Sequence, residues 1–361
     1  MTEKRNEDLE REASRNKTPN DLEVLSMAEL YDTAYLPRMP VIEGLLNCGL
    51  YIFSGAPKIG KSFLVLQLAY SIATGQPIWD YPVRQGEVLY LALEDNYSRL
   101  QERLSRMFGE NATEHLYMAV RSKKIQEGLV EQIEHFVKEH PDTRLIIIDT
   151  LQKIREGQDD RFSYANDYDN INRLKQFSDV NAVCILVVHH TRKLESSDSF
   201  EMISGTNGLL GAADAAFVLR KDKRTADMAV LDIVGRDQPD QQLTLKRDLL
   251  TCLWSKEKEE VSPLPEKEDP VLDLINAFIK GCGREWQGSA SELIEACPGL
   301  YGLIKPNKLT RKLNINCGCL LQKYGLLYQP GERTREKRTF TLARFEQKSE
   351  PVTIGDDCDD T

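Results

Sequence analysis

Several signals that would fix a compartment or a partner at once are missing from this 361-residue chain. No apolar run approaches the ~18 residues that a membrane-spanning helix needs, so no membrane partner is expected. The first residues are charged and contain no apolar signal-peptide core. Eight cysteines (Cys48, Cys184, Cys252, Cys282, Cys297, Cys317, Cys319, Cys358) are scattered along the sequence. Apart from the tight Cys317-x-Cys319, they lack the paired C-x₂₋₄-C spacing of a structural zinc site. Scattered thiols without a secretion signal point to a reducing cytoplasm. Net positive charge is absent too: the total of −10 argues against a generic binder of polyanions. That total hides an asymmetry, because Pro270 to Phe345 holds twelve Lys/Arg against six Asp/Glu and is net +6.

What the chain does contain begins at Gly55-Ala56-Pro57-Lys58-Ile59-Gly60-Lys61-Ser62, which fits the phosphate-binding pattern G-x-x-x-x-G-K-[ST]. Leu50 to Ser54 reads as a buried strand before it, and Phe63 to Thr74 has apolar residues at helical spacing after it. Strand, glycine loop and helix therefore come in the order that phosphate binding requires. The glycines let backbone N–H groups close around a β-phosphate, and the helix N-terminus adds positive dipole. Lys61 reaches β/γ-oxygens, Ser62 is placed to ligate Mg²⁺, and ATP with Mg²⁺ is the expected ligand pair. Lys58 reads as a solvated loop residue.

Three later strands each deliver polar groups at their C-terminal ends, the ligand-binding edge of a doubly wound sheet. Glu87 to Leu93 ends in Glu94-Asp95, where Glu94 is read either as a water-activating base or as an ordinary helix N-cap carboxylate. Arg144 to Ile148 delivers Asp149, a Walker B carboxylate for Mg²⁺. Val183 to Val188 delivers His189-His190-Thr191-Arg192-Lys193. His190 is expected near the γ-phosphate, and Arg192 and Lys193 on a surface facing nucleic acid. Arg220 and Arg236 end late strands and are candidate arginine fingers, with Arg220 preferred and Arg236 assisting.

Alternating strands and helices followed by late antiparallel strands predict an α/β fold: a RecA-like P-loop NTPase core with a mostly parallel central sheet. A polar tail is expected over 1–26, the ATPase domain over 27–255, a charged, Pro-containing linker over 256–269, a basic domain over 270–345 and an acidic tail over 346–361. Within the basic segment, helices at Val271 to Lys280, Ser289 to Ala296 and Asn307 to Tyr324, then a two-stranded hairpin, predict a winged-helix-like α+β domain. Lys308, Arg311 and Lys312 on its third helix would enter a major groove, and Arg333 and Arg335 on the wing would meet phosphates.

The set SGAPKIGKS (Ser54 to Ser62), YLALED (Tyr90 to Asp95), IIDTL (Ile147 to Leu151), VHHTRK (Val188 to Lys193) and SGTNGLLGAAD (Ser204 to Asp214) resembles the RecA-fold ATPases of the plasmid RepA helicase family. The resemblance spans roughly residues 36–254. It implies a ring, usually a homo-hexamer, that hydrolyses ATP between subunits while moving on single-stranded DNA. It also implies roles: Lys61 and Ser62 on phosphate and Mg²⁺, Glu94 as general base, Asp149 as Walker B acid and His190 as γ-phosphate sensor. The basic C-terminal segment resembles winged-helix appendages on ATPases of mobile elements, which would engage duplex DNA or a replication protein. Two other readings remain: a RecA/RadA-like recombination or repair ATPase, and a DNA-binding regulator or partition protein switched by ATP. Ala56 stands where partition ATPases carry an extra lysine, and no zinc-ribbon Cys spacing occurs near the N-terminus.

Overall fold

The computed structural model describes residue 22 and residues 24–344, apart from 36, 156–162, 191–199, 201–206, 222, 224–225, 237, 263–267 and 334–337. The chain divides into two units, Arg38–Glu266 and a second made of Met1–Pro37 with Lys267–Thr361. Helix α1 (Met27–Asp32) belongs to the second unit, whereas the sequence reading had joined it to the ATPase domain.

In the larger unit the elements run β1 (Gly49–Gly55), α2 (Lys61–Thr74), β2 (Glu87–Ala92), α3 (Tyr97–Phe108), β3 (Leu116–Ala119), α4 (Leu129–Glu139), β4 (Thr143–Asp149), α5 (Leu151–Ile154), α6 (Ser163–Asn181), β5 (Cys184–His190), α7 (Asn207–Ala212), β6 (Ala215–Arg220), β7 (Met228–Gly235), β8 (Gln241–Arg247) and β9 (Trp254–Val261). They form one nine-stranded sheet in the order β3-β2-β4-β5-β1-β6-β7-β8-β9. The first six strands of that order are parallel, and β7 to β9 continue antiparallel. Central strands are buried on both faces, which is why β1 and β4 are near-continuous apolar runs. Tyr51, Phe53, Tyr90 and Ile147 pack on one face with Leu64 and Leu68 of α2, while Leu50, Ile52, Ile146 and Ile148 pack on the other with Ile171 and Leu174 of α6. Helices on both faces of a mostly parallel sheet give the predicted α/β architecture.

The expected linker starts too early. Lys256 to Val261 belongs to β9, which pairs with β8 from Trp254 to Val261. An edge strand needs only one hydrogen-bonded neighbour and is protected by charge, so WSKEKEEV reads as a polar connection in the sequence.

The second unit continues with α8 (Pro270–Gly281), β10 (Glu285–Ser289), α9 (Ala290–Ala296), α10 (Pro306–Ile315), α11 (Cys317–Tyr324), β11 (Leu326–Arg333) and β12 (Arg338–Arg344). Its small antiparallel sheet has the order β10-β12-β11. Ser289 caps α9 through a capping box with Glu292. The expected long third helix is two helices meeting at Asn316, and strand β10 went unforeseen because GREWQGS lacks alternation. Leu293, Leu309, Leu313, Leu320, Tyr328 and Phe340 form the core, and Ala34 joins it from the segment after α1. Buried Asn314 fastens that segment: its Nδ2 donates to the Tyr31 carbonyl (3.1 Å) and its Oδ1 accepts from the Tyr328 hydroxyl (2.8 Å). Asn314→Ala would leave the buried Tyr328 hydroxyl without its acceptor, at about 1–3 kcal/mol. Urea unfolding of this unit should shift to lower concentration, and an unchanged midpoint would show that the amide does not hold the segment.

Candidate active site

Because β2, β4, β5, β1 and β6 are parallel neighbours, their C-terminal ends line one edge of the sheet. Along it stand, in order, Glu94, Asp149, His190, the Gly55 to Ser62 loop and Arg220. The register of β1 sets Gly55 opposite His190 on one side and Leu219 on the other. A Cβ at Gly55 would lie 2.8 Å from the Leu219 carbonyl, so only glycine lets the loop leave β1 this close to β6. Gly60 has φ +105° as the N-cap of α2, and a Cβ there would meet Trp254 Cζ2 at 2.8 Å. The N-cap Gly60 offers no side chain to cap α2, so among the described residues its first N–H groups keep their anion-binding capacity. Lys58 is exposed, as expected of a solvated loop residue.

Lys61 turns back into the loop, where Nζ donates to the carbonyls of Gly55 (2.7 Å) and Ala56 (3.0 Å) and approaches His190 Nδ1 (3.2 Å). An ammonium has no lone pair, so Nδ1 accepts and the neutral imidazole carries its proton on Nε2. Nε2 lies 4.0 Å from Glu94 Oε1. Burial, and then the Lys61 charge, lower the His190 pKa and favour that neutral form. Burial also lowers the Lys61 pKa to about 8, against the upward pull of Asp149 and Glu94.

Asp149 Oδ2 accepts from Ser62 Oγ and from Tyr90 OH, each at 2.8 Å. Burial pushes the Asp149 pKa up and these two hydroxyls pull it back. Glu94 accepts from Thr150 Oγ1 at 3.1 Å. It is not a helix cap, because Asn96 caps α3 by accepting from the Arg99 amide. Its neighbour Asp95 faces Arg103 (2.8 Å) and Arg99 (3.5 Å) in a structural ion-pair cluster, which leaves Glu94 alone toward the loop. Ser62 Oγ, the Asp149 carboxylate and the uncapped helix start are hard oxygen and N–H donors on one edge, a set that fits a phosphate chain and Mg²⁺.

Sequence reasoning missed Tyr90, Thr150 and Arg247. A tyrosine inside an aliphatic strand was the available signal for the first, since a buried hydroxyl needs a partner. Arg247 comes from β8: its guanidinium sits 5.0 Å from the Phe63 ring centroid, and Arg103 sits 5.2 Å from the same ring. Both bring positive charge beside the start of α2.

The two candidate fingers do not converge. Arg220 stands on the loop edge and is paired through Nε with Asp232, which also accepts from Gln242. Arg236 follows β7, which runs antiparallel to β6 with Gly235 opposite Ala215, so it stands on the other edge, bonded to the Gly211 carbonyl. Of the residues expected on DNA, Arg192, Lys193 and Arg335 lie outside the described residues, as does the side chain of Arg333. Lys308 is exposed on α10. Arg311 is clasped by Asp32 (Nε–Oδ1 2.7 Å, Nη2–Oδ2 3.3 Å), and Lys312 pairs with Asp269 (2.5 Å), so both of these side chains hold an internal carboxylate.

Residues 18–196 match the AAA_25 family of AAA domains. No curated protein matches the chain by sequence. Among solved structures, a DnaB-like replicative helicase, described with its primase interactions, is 14% identical over 71% of each chain with a TM-score of 0.52. The ATPase domain of G40P is 12% identical over 58% of this chain and 85% of its own, with a TM-score of 0.49. The fold is that of RecA-like P-loop ATPase domains.

Lys61 supplies a pH test with a definite sign. Below about pH 8 its ammonium is already charged when an anion arrives. Above that, phosphate binding must draw a proton onto Lys61, so nucleotide affinity should fall by up to about tenfold per pH unit until the lysine's ordinary range is reached. Calorimetry in buffers of different ionisation enthalpy should register proton uptake at alkaline pH and little of it near neutrality. Uptake that persists in Lys61→Met would assign it to another group.

Proposed function

We propose that this chain is an ATP-hydrolysing, DNA-dependent motor, a ring helicase that serves replication of a plasmid, phage or other mobile element. The observation that carries the reading is the single sheet edge that carries Lys61, Ser62, Asp149, Glu94 and His190, with Ser62 on Asp149 at 2.8 Å, Lys61 by His190 at 3.2 Å and His190 4.0 Å from Glu94. In this reading the α2 N-terminus and Lys61 hold the β- and γ-phosphates of ATP, and Ser62 and Asp149 hold Mg²⁺. Held there, Mg²⁺ would supply positive charge to offset that of the phosphate oxygens. Glu94, tethered by Thr150, accepts a proton from the attacking water. His190 links that carboxylate to Lys61 and would respond to loss of the γ-phosphate. A cation from a neighbouring subunit completes charge stabilisation in a homo-hexamer, and single-stranded DNA is the track. Arg220 is the preferred finger, once released from Asp232, and Arg236 the alternative. The likeness to a DnaB-like replicative helicase and the AAA-domain match support an ATPase of this class.

Lys61→Ala and Glu94→Gln should each abolish turnover stimulated by single-stranded DNA, with Glu94→Gln still binding ATP. Wild-type protein whose ATP hydrolysis ignores DNA would overturn the motor reading. Strand displacement on forked DNA separates a helicase from a recombination ATPase or an ATP-switched regulator.

For the second unit we propose a winged-helix module for duplex DNA, or a docking module for a replication protein. The element order helix-strand-helix-helix-helix-strand-strand and the sheet order β10-β12-β11 support it. Asp32 then competes with phosphate for Arg311. Asp32→Ala in the full chain should tighten duplex binding several-fold and steepen the salt dependence by about one counterion. Weaker or unchanged binding would mean that this face does not meet DNA.

A further inference from the structure

The Tyr90 hydroxyl is the one polar group in the middle of the β2 run, and its side chain is fully buried. Strand register explains where it goes. Tyr90 pairs with Ile147 and Ala92 pairs with Asp149, so Tyr90 lies diagonally across from Asp149 on the same sheet face. Leaning along the strand, the ring delivers its hydroxyl to Oδ2 at 2.8 Å. Its ring sits in the core layer with Leu64, Leu145 and Ile147, so the hydroxyl cannot move away without disturbing that packing.

Resting on the ATPase reading above, we infer that Tyr90 is a positioning residue that fixes the Asp149 carboxylate for Mg²⁺. The χ2 torsion of an aspartate is a broad sp³–sp² rotor, so a carboxylate at a strand end does not orient itself. Two hydroxyls hold Oδ2. Ser62 is itself a candidate metal ligand on the helix start, and its hydroxyl reorients when its lone pair turns to a cation. Tyr90 has no such second task. Its hydrogen bond therefore keeps one carboxylate oxygen anchored and fixes the orientation in which Asp149 would meet a cation. Outer partners of metal-binding carboxylates act in this way, orienting the ligand without touching the metal.

The test is Tyr90→Phe in the full chain, read by nucleotide binding as well as by turnover. ADP affinity in EDTA should stay within about twofold of wild type, which also reports that the fold and the phosphate loop are intact. The Mg²⁺ concentration that half-saturates the Mg²⁺-dependent gain in ADP affinity should rise roughly ten- to a hundredfold. Turnover should recover substantially at high Mg²⁺, as a KM-type loss for the cation and not a collapse of kcat. A Mg²⁺ requirement within twofold of wild type would overturn the assignment while leaving the ATPase reading in place. Failure of wild type itself to gain ADP affinity from Mg²⁺ would overturn both. A variant weakened equally with and without Mg²⁺ would show that Tyr90 serves only the packing of β2 against α2.

Discussion

A lysine ammonium held almost out of water is the constraint from which the site follows. Lys61 is 6% exposed, and burying a charge is costly unless it is paired and hydrogen-bonded. The chain meets that demand with two loop carbonyls, a neutral imidazole acceptor and two carboxylates nearby. None of these fully balances the charge, which is why burial still lowers its pKa. A polyphosphate does balance it. The residual strain on Lys61 thus becomes preference for an anion, and the same burial that weakens the lysine in water strengthens its grip on a phosphate oxygen. His190 is drawn into the arrangement because only its neutral form is compatible with the cation at 3.2 Å. Glu94 and Asp149 stand apart along the same edge, the first held by Thr150 and the second by Ser62 and Tyr90.

The placement of these residues on one edge was readable from the sequence because it depends on strand ends. Parallel strands buried on both faces announce themselves as apolar runs, and whatever polar residue terminates such a run lies on the ligand edge. Gly55 to Ser62, Glu94, Asp149 and His190 all obey this rule, and α3 fell between Tyr97 and Phe108 with Gly109 behind it as expected. Direction was not readable for the late strands. Arg220 and Arg236 look alike as strand-terminal arginines, but β7 reverses, and the reversal sends Arg236 to the opposite edge. Edge strand β9 was lost for the complementary reason: with one neighbour and a charged surface, it has no apolar run to show.

Polar contacts made across long sequence separations were the other blind spot. Tyr90 counts as one more apolar residue in a strand until its hydroxyl is seen against Asp149, 59 residues later. Arg311 reads as a free cation on a helix until Asp32, 279 residues earlier, is found against it. A positive count of +6 over Pro270 to Phe345 is correct as arithmetic, yet it overstates the field available to a partner.

The second unit therefore shows the same physics as the first with the opposite outcome. Lys61 lies in a site whose internal partners leave charge to be balanced, so an anion has something to gain by entering. Arg311 already has a bidentate carboxylate at 2.7 and 3.3 Å, and Lys312 has Asp269. A phosphate reaching Arg311 must displace Asp32, and its advantage is only the difference between two ion pairs in a solvent-exposed setting, where each is worth little. Lys308 is exposed on the same helix, and among the described residues no ion pair engages it. The internal acid that competes for Arg311 comes from the Met27–Pro37 segment, which precedes the Arg38–Glu266 unit in the chain.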